Sequence, residues 1–193
     1  MSKIVLISNS PRRKELLETI GVSFRVGQNS YEENIDINLP PEEFVIQSAL
    51  EKIKHSSIGK EGEILLTADT IVYFNERIIG KPQNMEEAFS FIKDMAGNYH
   101  EVYTGLALKD VSKQKYVTGF SKTRVHFVEL SDAEIKSYLS AISPLDKAGA
   151  YAIQGKGGLI VSKVEGCFYN VMGLPLEKLG SLLKELGVNL LVK

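Results

Sequence analysis

The chain is short of several things that would each have pointed somewhere definite. It holds one cysteine, Cys167, so no disulfide can close within it, and its three histidines, His55, His100 and His126, are too scattered to read as a zinc site. No GxxxxGK[ST] phosphate loop, GxGxxG turn or HExxH helix occurs. An excess of charge of either sign is also missing. The 23 basic and 24 acidic side chains leave a formal charge of -1, with no overall positive field to grip a nucleic-acid backbone, so none is expected as a partner. Neither a signal-peptide pattern nor an apolar run long enough to span a bilayer is present, and a cytoplasmic location without a membrane partner is the expectation. Repeats, low-complexity stretches and long Gly/Ser/Pro linkers are absent too, and residues 1–193 read as a single domain, with a cleft between two lobes in view.

What is present is apolar material for a sizeable core, 44% of 193 residues, arranged as short strands alternating with helical patterns. The fold class is therefore α/β. Ile4-Val5-Leu6-Ile7 reads as a strand, and Leu16-Leu17-Ile20 as the apolar face of a helix, with Ser10 as N-cap and Pro11 as first helical residue. A second helix enters at Pro40-Pro41-Glu42-Glu43 and is expected to run to about Ser57. Ile64-Leu65-Leu66 reads as a buried strand ending at Thr67-Ala68-Asp69-Thr70, which puts Asp69 at a strand end; Ile71 to Phe74, a turn at Asn75-Glu76 and Ile78-Ile79 follow. Asn84 to Met95 has helical spacing. Strands are expected around Glu101 to Leu108 and Lys115 to Glu129, a capping box at Ser131 and Glu134 opens another helix, and a glycine-rich third leads to a last helix at about Leu176 to Leu186.

Three groups of residues could carry chemistry. The first is cationic. Arg12, Arg13 and Lys14 fall in the first helical turn, where each positive charge costs about 0.3–1 kcal/mol against the helix dipole unless an anion binds there. Lys52 lies at the edge of an apolar stripe and Lys81 in the rigid turn Gly80-Lys81-Pro82; each also reads as an ordinary solvated lysine. The second group is acidic: Glu32, Glu33 and Asp36 in a polar loop, read from pattern alone as solvated charges, and Asp69, either a turn residue or a functional carboxylate. One carboxylate plus substrate phosphates is an ordinary way to hold Mg²⁺. The third is Asp146 to Gly155, where Gln154 could read a base edge through its amide or be incidental to a glycine-rich turn.

Taken in order, SNSPRRKELL from Ser8 to Leu17, the glutamate loop at Glu33, Ala49-Leu50-Glu51-Lys52, Thr67-Ala68-Asp69-Thr70, Gly80-Lys81-Pro82, Asp146 to Gly155 and Asn170-Val171-Met172-Gly173-Leu174-Pro175 resemble the Maf family of nucleotide pyrophosphatases. The resemblance spans nearly the full chain. It departs from the family's usual residues at Cys167-Phe168 and at Ile53. It implies a two-lobed, mixed-sheet α/β fold with a central cleft, similar to that of the inosine triphosphate pyrophosphatases. It also implies hydrolysis of a nucleoside triphosphate to the monophosphate and pyrophosphate with a divalent metal, Mg²⁺ or Mn²⁺, and a homodimer. Carried over by residue, it makes Asp69 the general base, assigns Ser8, Arg12, Arg13, Lys52 and Lys81 to the phosphates, and puts Glu33 with Asp69 at the metal. Arg12, Thr70 and Gln154 resemble the branch acting on dTTP and UTP rather than on 7-methyl-GTP. Gln154 suits a pyrimidine, because its amide matches the adjacent carbonyl and N3–H of thymine or uracil. The family's name carries a rival expectation, a cell-division regulator that binds nucleotide or nucleic acid without needing hydrolysis, and pyrophosphatase action on a modified purine nucleotide such as 7-methyl-GTP is a second alternative.

Overall fold

The computed structural model describes residues 3–28, 39–56 and 59–192. Seven strands form one mixed sheet in the order β2-β1-β3-β5-β6-β7, with β4 paired to β3: β1 Lys3–Ile7, β2 Phe24–Gly27, β3 Glu63–Phe74, β4 Arg77–Ile79, β5 Tyr99–Asp110, β6 Lys115–Phe127 and β7 Val161–Glu165. The helices are α1 Pro11–Thr19, α2 Pro41–Lys54, α3 Met85–Met95, α4 Asp132–Ser140, α5 Phe168–Val171 and α6 Leu176–Glu185. The chain divides into two compact units, Met1–Asp69 with Thr104–Ser121 and Gly173–Lys193, and Thr70–Tyr103 with Lys122–Met172. Strands β3, β5 and β6 contribute residues to each.

In the first unit β1 pairs in parallel with β2 and with β3, in the register Leu6↔Val26 and Leu6↔Leu66. The β1 side chains are buried from Ile4 onward, as expected of a parallel strand covered on both faces. Val5, Ile7 and Leu65 pack with Ala49 and Ile53 of α2 and with Ala107 of β5 to form a core cluster, to which Leu50 and Val111 add their partly buried side chains. Each large aliphatic side chain removed from water in this way contributes about 1.5–3 kcal/mol. Helix α6 turns Leu179, Leu182 and Leu183 inward, an i, i+3, i+4 pattern that explains its helical form. Glu63, buried at the start of β3, accepts bonds from Arg25 Nε at 2.8 Å and Nη2 at 2.7 Å, a bidentate pair that holds its carboxyl well below the usual range, at about 2.

The second unit begins with the last residues of β3, which turn back into β4 through Asn75 and Glu76, φ 47° and 59°. Positive φ at both central residues is what a two-residue hairpin matched to strand twist requires. Helix α3 is capped by Asn84, whose side chain accepts from Glu87 N at 2.8 Å, and α4 by the full Ser131–Glu134 capping box. Of the two caps, the sequence reading identified the Ser131–Glu134 box; at Asn84 it gave the helix but not the cap. Antiparallel β6–β7 pairing runs from Arg124↔Glu165 to Phe127↔Val161 with an irregularity at His126/Phe127. His100, Phe127 and Tyr151 make an edge-to-face aromatic cluster, the His100 ring lying 4.8 Å from Phe127 and 5.1 Å from Tyr151.

Two elements differ from the sequence expectation. Helix α2 stops at Lys54, short of Ser57, because His55 N still donates to Glu51 O while Ser56 N donates to Ile53 O, a tightening that ends the helix. Asp69 does not lie at a strand end. β3 runs unbroken from Glu63 to Phe74, since the polar groups that looked like a break are satisfied in place and Thr70, Ile71 and Val72 favour extended backbone. No helix among the described residues is long and apolar enough to cross a membrane.

Candidate active site

In the first unit, the turn after β1 and the start of α1 are built as expected: Ser10 is the extended N-cap, Pro11 opens the helix, and the first turn contains no acidic residue. Ser10 makes no side-chain cap, however. Its backbone N–H donates instead to Ser8 Oγ at 3.2 Å, and Arg13 Nη1 donates to the same oxygen at 3.3 Å. Ser8 is buried, and because both of these bonds are accepted by its oxygen, its own O–H remains a donor. Arg13 also donates from Nε to Gly173 O at 2.8 Å, which fixes the guanidinium plane. Arg12 and Lys14 are half-buried beside it.

The same unit brings Lys52 and Asp69 together. Lys52 Nζ donates to Asp69 Oδ1, with only 13% of the lysine side chain and 11% of the aspartate's exposed. That exposure sets aside one reading of each residue: Lys52 is not a solvated helix lysine, and Asp69 is not a surface turn residue. The parallel register places this pair. β1 stops at Ile7, one residue past Leu6↔Leu66, so Asp69 continues along β3 beyond the point where its neighbour has ended and the Ser8 turn begins. Sites in α/β sheets gather beyond the carboxyl ends of parallel strands.

The second unit holds Thr70, Lys81 and Gln154. Thr70 is half-buried on β3 and Lys81 is exposed on its turn. Gly80 O accepts from Gly149 N at 3.0 Å, which ties the Lys81 turn to the glycine-rich segment; Gly149 has φ +68°, and a Cβ there would lie 3.0 Å from Val72. Gln154 is half-buried, and its carbonyl accepts from Gly157 N at 3.1 Å. Two residues earlier Ala152 is held by the Tyr138 hydroxyl, which accepts from Ala152 N at 3.2 Å. Glu33 lies outside the described residues, among which no group of three or more His, Cys, Asp and Glu side chains is placed to hold a metal ion. The sequence reading missed the part of Gly173 in this arrangement. A backbone carbonyl meeting Arg13 across 160 residues leaves no composition or periodicity signal.

A family model described as Maf-like protein matches residues 3–186. The chain belongs to the Maf family. This Maf family member is 45% identical to a protein of Caldicellulosiruptor saccharolyticus named dTTP/UTP pyrophosphatase, over 99% of this chain and 98% of that one. Proteins of the same name from Clostridium tetani and Bacillus cereus are 42% and 43% identical, covering 96% and 98% of this chain and 98% of theirs. A solved HAM1 protein from Coxiella burnetii superposes with a TM-score of 0.43 at 13% identity, over 66% of this chain and 73% of its own. A likeness that loose decides nothing about function.

Proposed function

We propose that this Maf family member hydrolyses dTTP and UTP to the monophosphate and pyrophosphate. What carries the reaction is the near full-length identity to proteins that bear that activity as their name. What supports the residue roles is the buried Lys52–Asp69 pair just past the end of β1.

Asp69 is the general base. Lys52 occupies Oδ1, and Oδ2 is the oxygen assigned to the attacking water. The water oxygen forms a new bond to phosphorus, its proton passes to Asp69, and the bridging bond between the α and β phosphates breaks, so that pyrophosphate leaves. Ser8 donates its O–H to a phosphate oxygen, while Arg12, Arg13, Lys52 and Lys81 supply the positive charge that stabilises the developing negative charge. Arg13 arrives already oriented by Gly173 O, which lowers the cost of ordering it. Arg12, Thr70 and Gln154 select the substrate, with the Gln154 amide pairing with the carbonyl and N3–H of the pyrimidine.

The donor set fits a divalent cation of the Mg²⁺ or Mn²⁺ kind, because Asp69 offers a hard carboxylate oxygen and such ions take one or two carboxylates beside substrate phosphates. Asp69 with Glu33 would hold it, and bound there it would neutralise phosphate charge. A homodimer and a cytoplasmic location complete the reading, on the family resemblance.

The test is pyrophosphate release from dTTP, UTP, dCTP, dGTP and 7-methyl-GTP with Mg²⁺ or Mn²⁺. Turnover of dTTP and UTP is expected to exceed the others, and Asp69→Asn to lose about 100- to 10,000-fold. Release from none of the five would sink the proposal, and a fully active Asp69→Asn protein would remove that residue from the mechanism.

A further inference from the structure

We propose that Thr67, which no motif argument assigns a role, is a positioning residue that sets the Lys52–Asp69 pair by clamping β3 to α2; the inference rests on the functional reading above. Thr67 is fully buried. Its hydroxyl donates to Ala49 O at 2.6 Å, with Ala107 O of β5 at 3.4 Å as a second, weaker acceptor. Ala49 lies on α2 three residues before Lys52, and Thr67 lies on β3 two residues before Asp69.

Those intervals keep each pair of residues on one face of its element. Three residues of helix rise about 4.5 Å and return to nearly the same face, and two residues of strand advance about 6.7 Å and return to the same face. The Thr67–Ala49 bond and the Lys52–Asp69 pair are therefore successive rungs between the same helix and the same strand. The upper rung joins two flexible or ionic side chains. The lower one joins a short, β-branched side chain to a backbone carbonyl, and so fixes the height of α2 along β3.

A second contact, independent of Thr67, holds α2 at the same level. A Cβ built on Gly105 of β5 would run into the carbonyl of Val45 and come within 2.7 Å of Ile46 N. Backbone of α2 thus rests directly on backbone of β5, one helical turn before Ala49. With the helix seated there, a slide along β3 is resisted by the Thr67 bond, and a slide would separate Lys52 from Asp69. A buried strand threonine that merely satisfies its hydroxyl would give the same bond but no dependence of turnover on it.

Thr67→Val keeps the shape and removes the donor, whereas Thr67→Ser keeps the donor; Thr67→Ala replaces the valine variant if thermal denaturation shows that valine prevents folding. Under this proposal Thr67→Val lowers kcat for dTTP by about 10- to 100-fold with KM nearly unchanged, and Thr67→Ser restores most of it. In a Lys52→Met background the valine substitution has almost no additional effect, because the pair it would misplace is already gone. A Thr67→Val protein with wild-type kcat overturns the proposal. So does a loss that serine does not rescue, or one that persists undiminished beside Lys52→Met. Crystal structures of the wild-type and Thr67→Val proteins give a readout apart from turnover: the Lys52–Asp69 contact should open in the variant, and an unchanged contact overturns the clamp. If the wild-type protein hydrolyses no nucleotide, the functional reading fails on that assay, and the crystal structures judge the clamp alone.

Discussion

Lowering the pH from 7.5 to 5.0 should weaken the fold through one residue, His100. Its ring is 1% exposed, its Nε2 lies 2.7 Å from the Tyr151 hydroxyl, and its other nitrogen has no hydrogen-bond partner among the described residues. Burial, and secondarily the neighbouring His126, push it down to about 3 from the ordinary 6.5. The unfolded chain therefore takes up a proton near pH 6.5 that the folded chain refuses until about pH 3. Stability from this source is complete above 6.5, falls as the pH drops below 6.5, and stops falling near 3. At pH 5.0 the loss is about 1.5 pH units at 1.36 kcal/mol each, or ~2 kcal/mol. Against a total of about 5–15 kcal/mol, that is measurable by urea denaturation at the two pH values. His100→Phe supplies the comparison. It leaves the Tyr151 hydroxyl without its partner at a cost of about 1–3 kcal/mol, but at every pH alike, so the difference in slope isolates the histidine. The reasoning is refuted if both proteins lose the same stability, or if the His100 ring resonances titrate near 6.5 in the folded protein.

Other outcomes can be checked more briefly. Gly105→Ala forces α2 away from β5, at a cost of about 1–3 kcal/mol; calorimetry should show Tm lower by roughly 3–10 °C, and an unchanged Tm would mean the close approach is wrong. Glu63→Gln removes a carboxylate whose bond to Arg25 stabilises the fold above about pH 4.5 and is lost as the pH falls through about 2. In acid denaturation the variant should start weaker than the wild type at pH 6 and converge with it near pH 2. Gln154→Ala should cost about 10- to 100-fold in kcat/KM for dTTP while changing dCTP turnover little, and equal losses on the two would count against base reading.

Much of this protein was legible because its signals are local. The first strand–turn–helix, the Asn75-Glu76 hairpin and the capping box at Ser131 follow from residues within a few positions of one another. The cations of α1 were found by their conflict with the helix dipole, which is also local. Asp69 was misplaced for a physical reason: a polar tetrapeptide after an apolar run reads as a strand end, unless something outside the run satisfies it. Here Ala49 and Lys52 do so, and no window over β3 contains them. Gly173 and Gly105 were invisible as site-builders for the same cause, since what matters in each is backbone approached by a distant element.

The segmented make-up of the two units has a consequence for the order in which the protein is made. Lys52 and Asp69 leave the ribosome before two of the segments that complete their unit, Thr104–Ser121 and Gly173–Lys193. Until that last segment emerges, the nascent chain lacks the Gly173 carbonyl that orients Arg13 and the leucines of α6 that turn into the core. An incomplete chain released before Gly173 would carry every proposed catalytic side chain and expose apolar surface that chaperones recognise. Competence thus waits on the residues from Gly173 onward, although the chemistry is written in side chains that precede them.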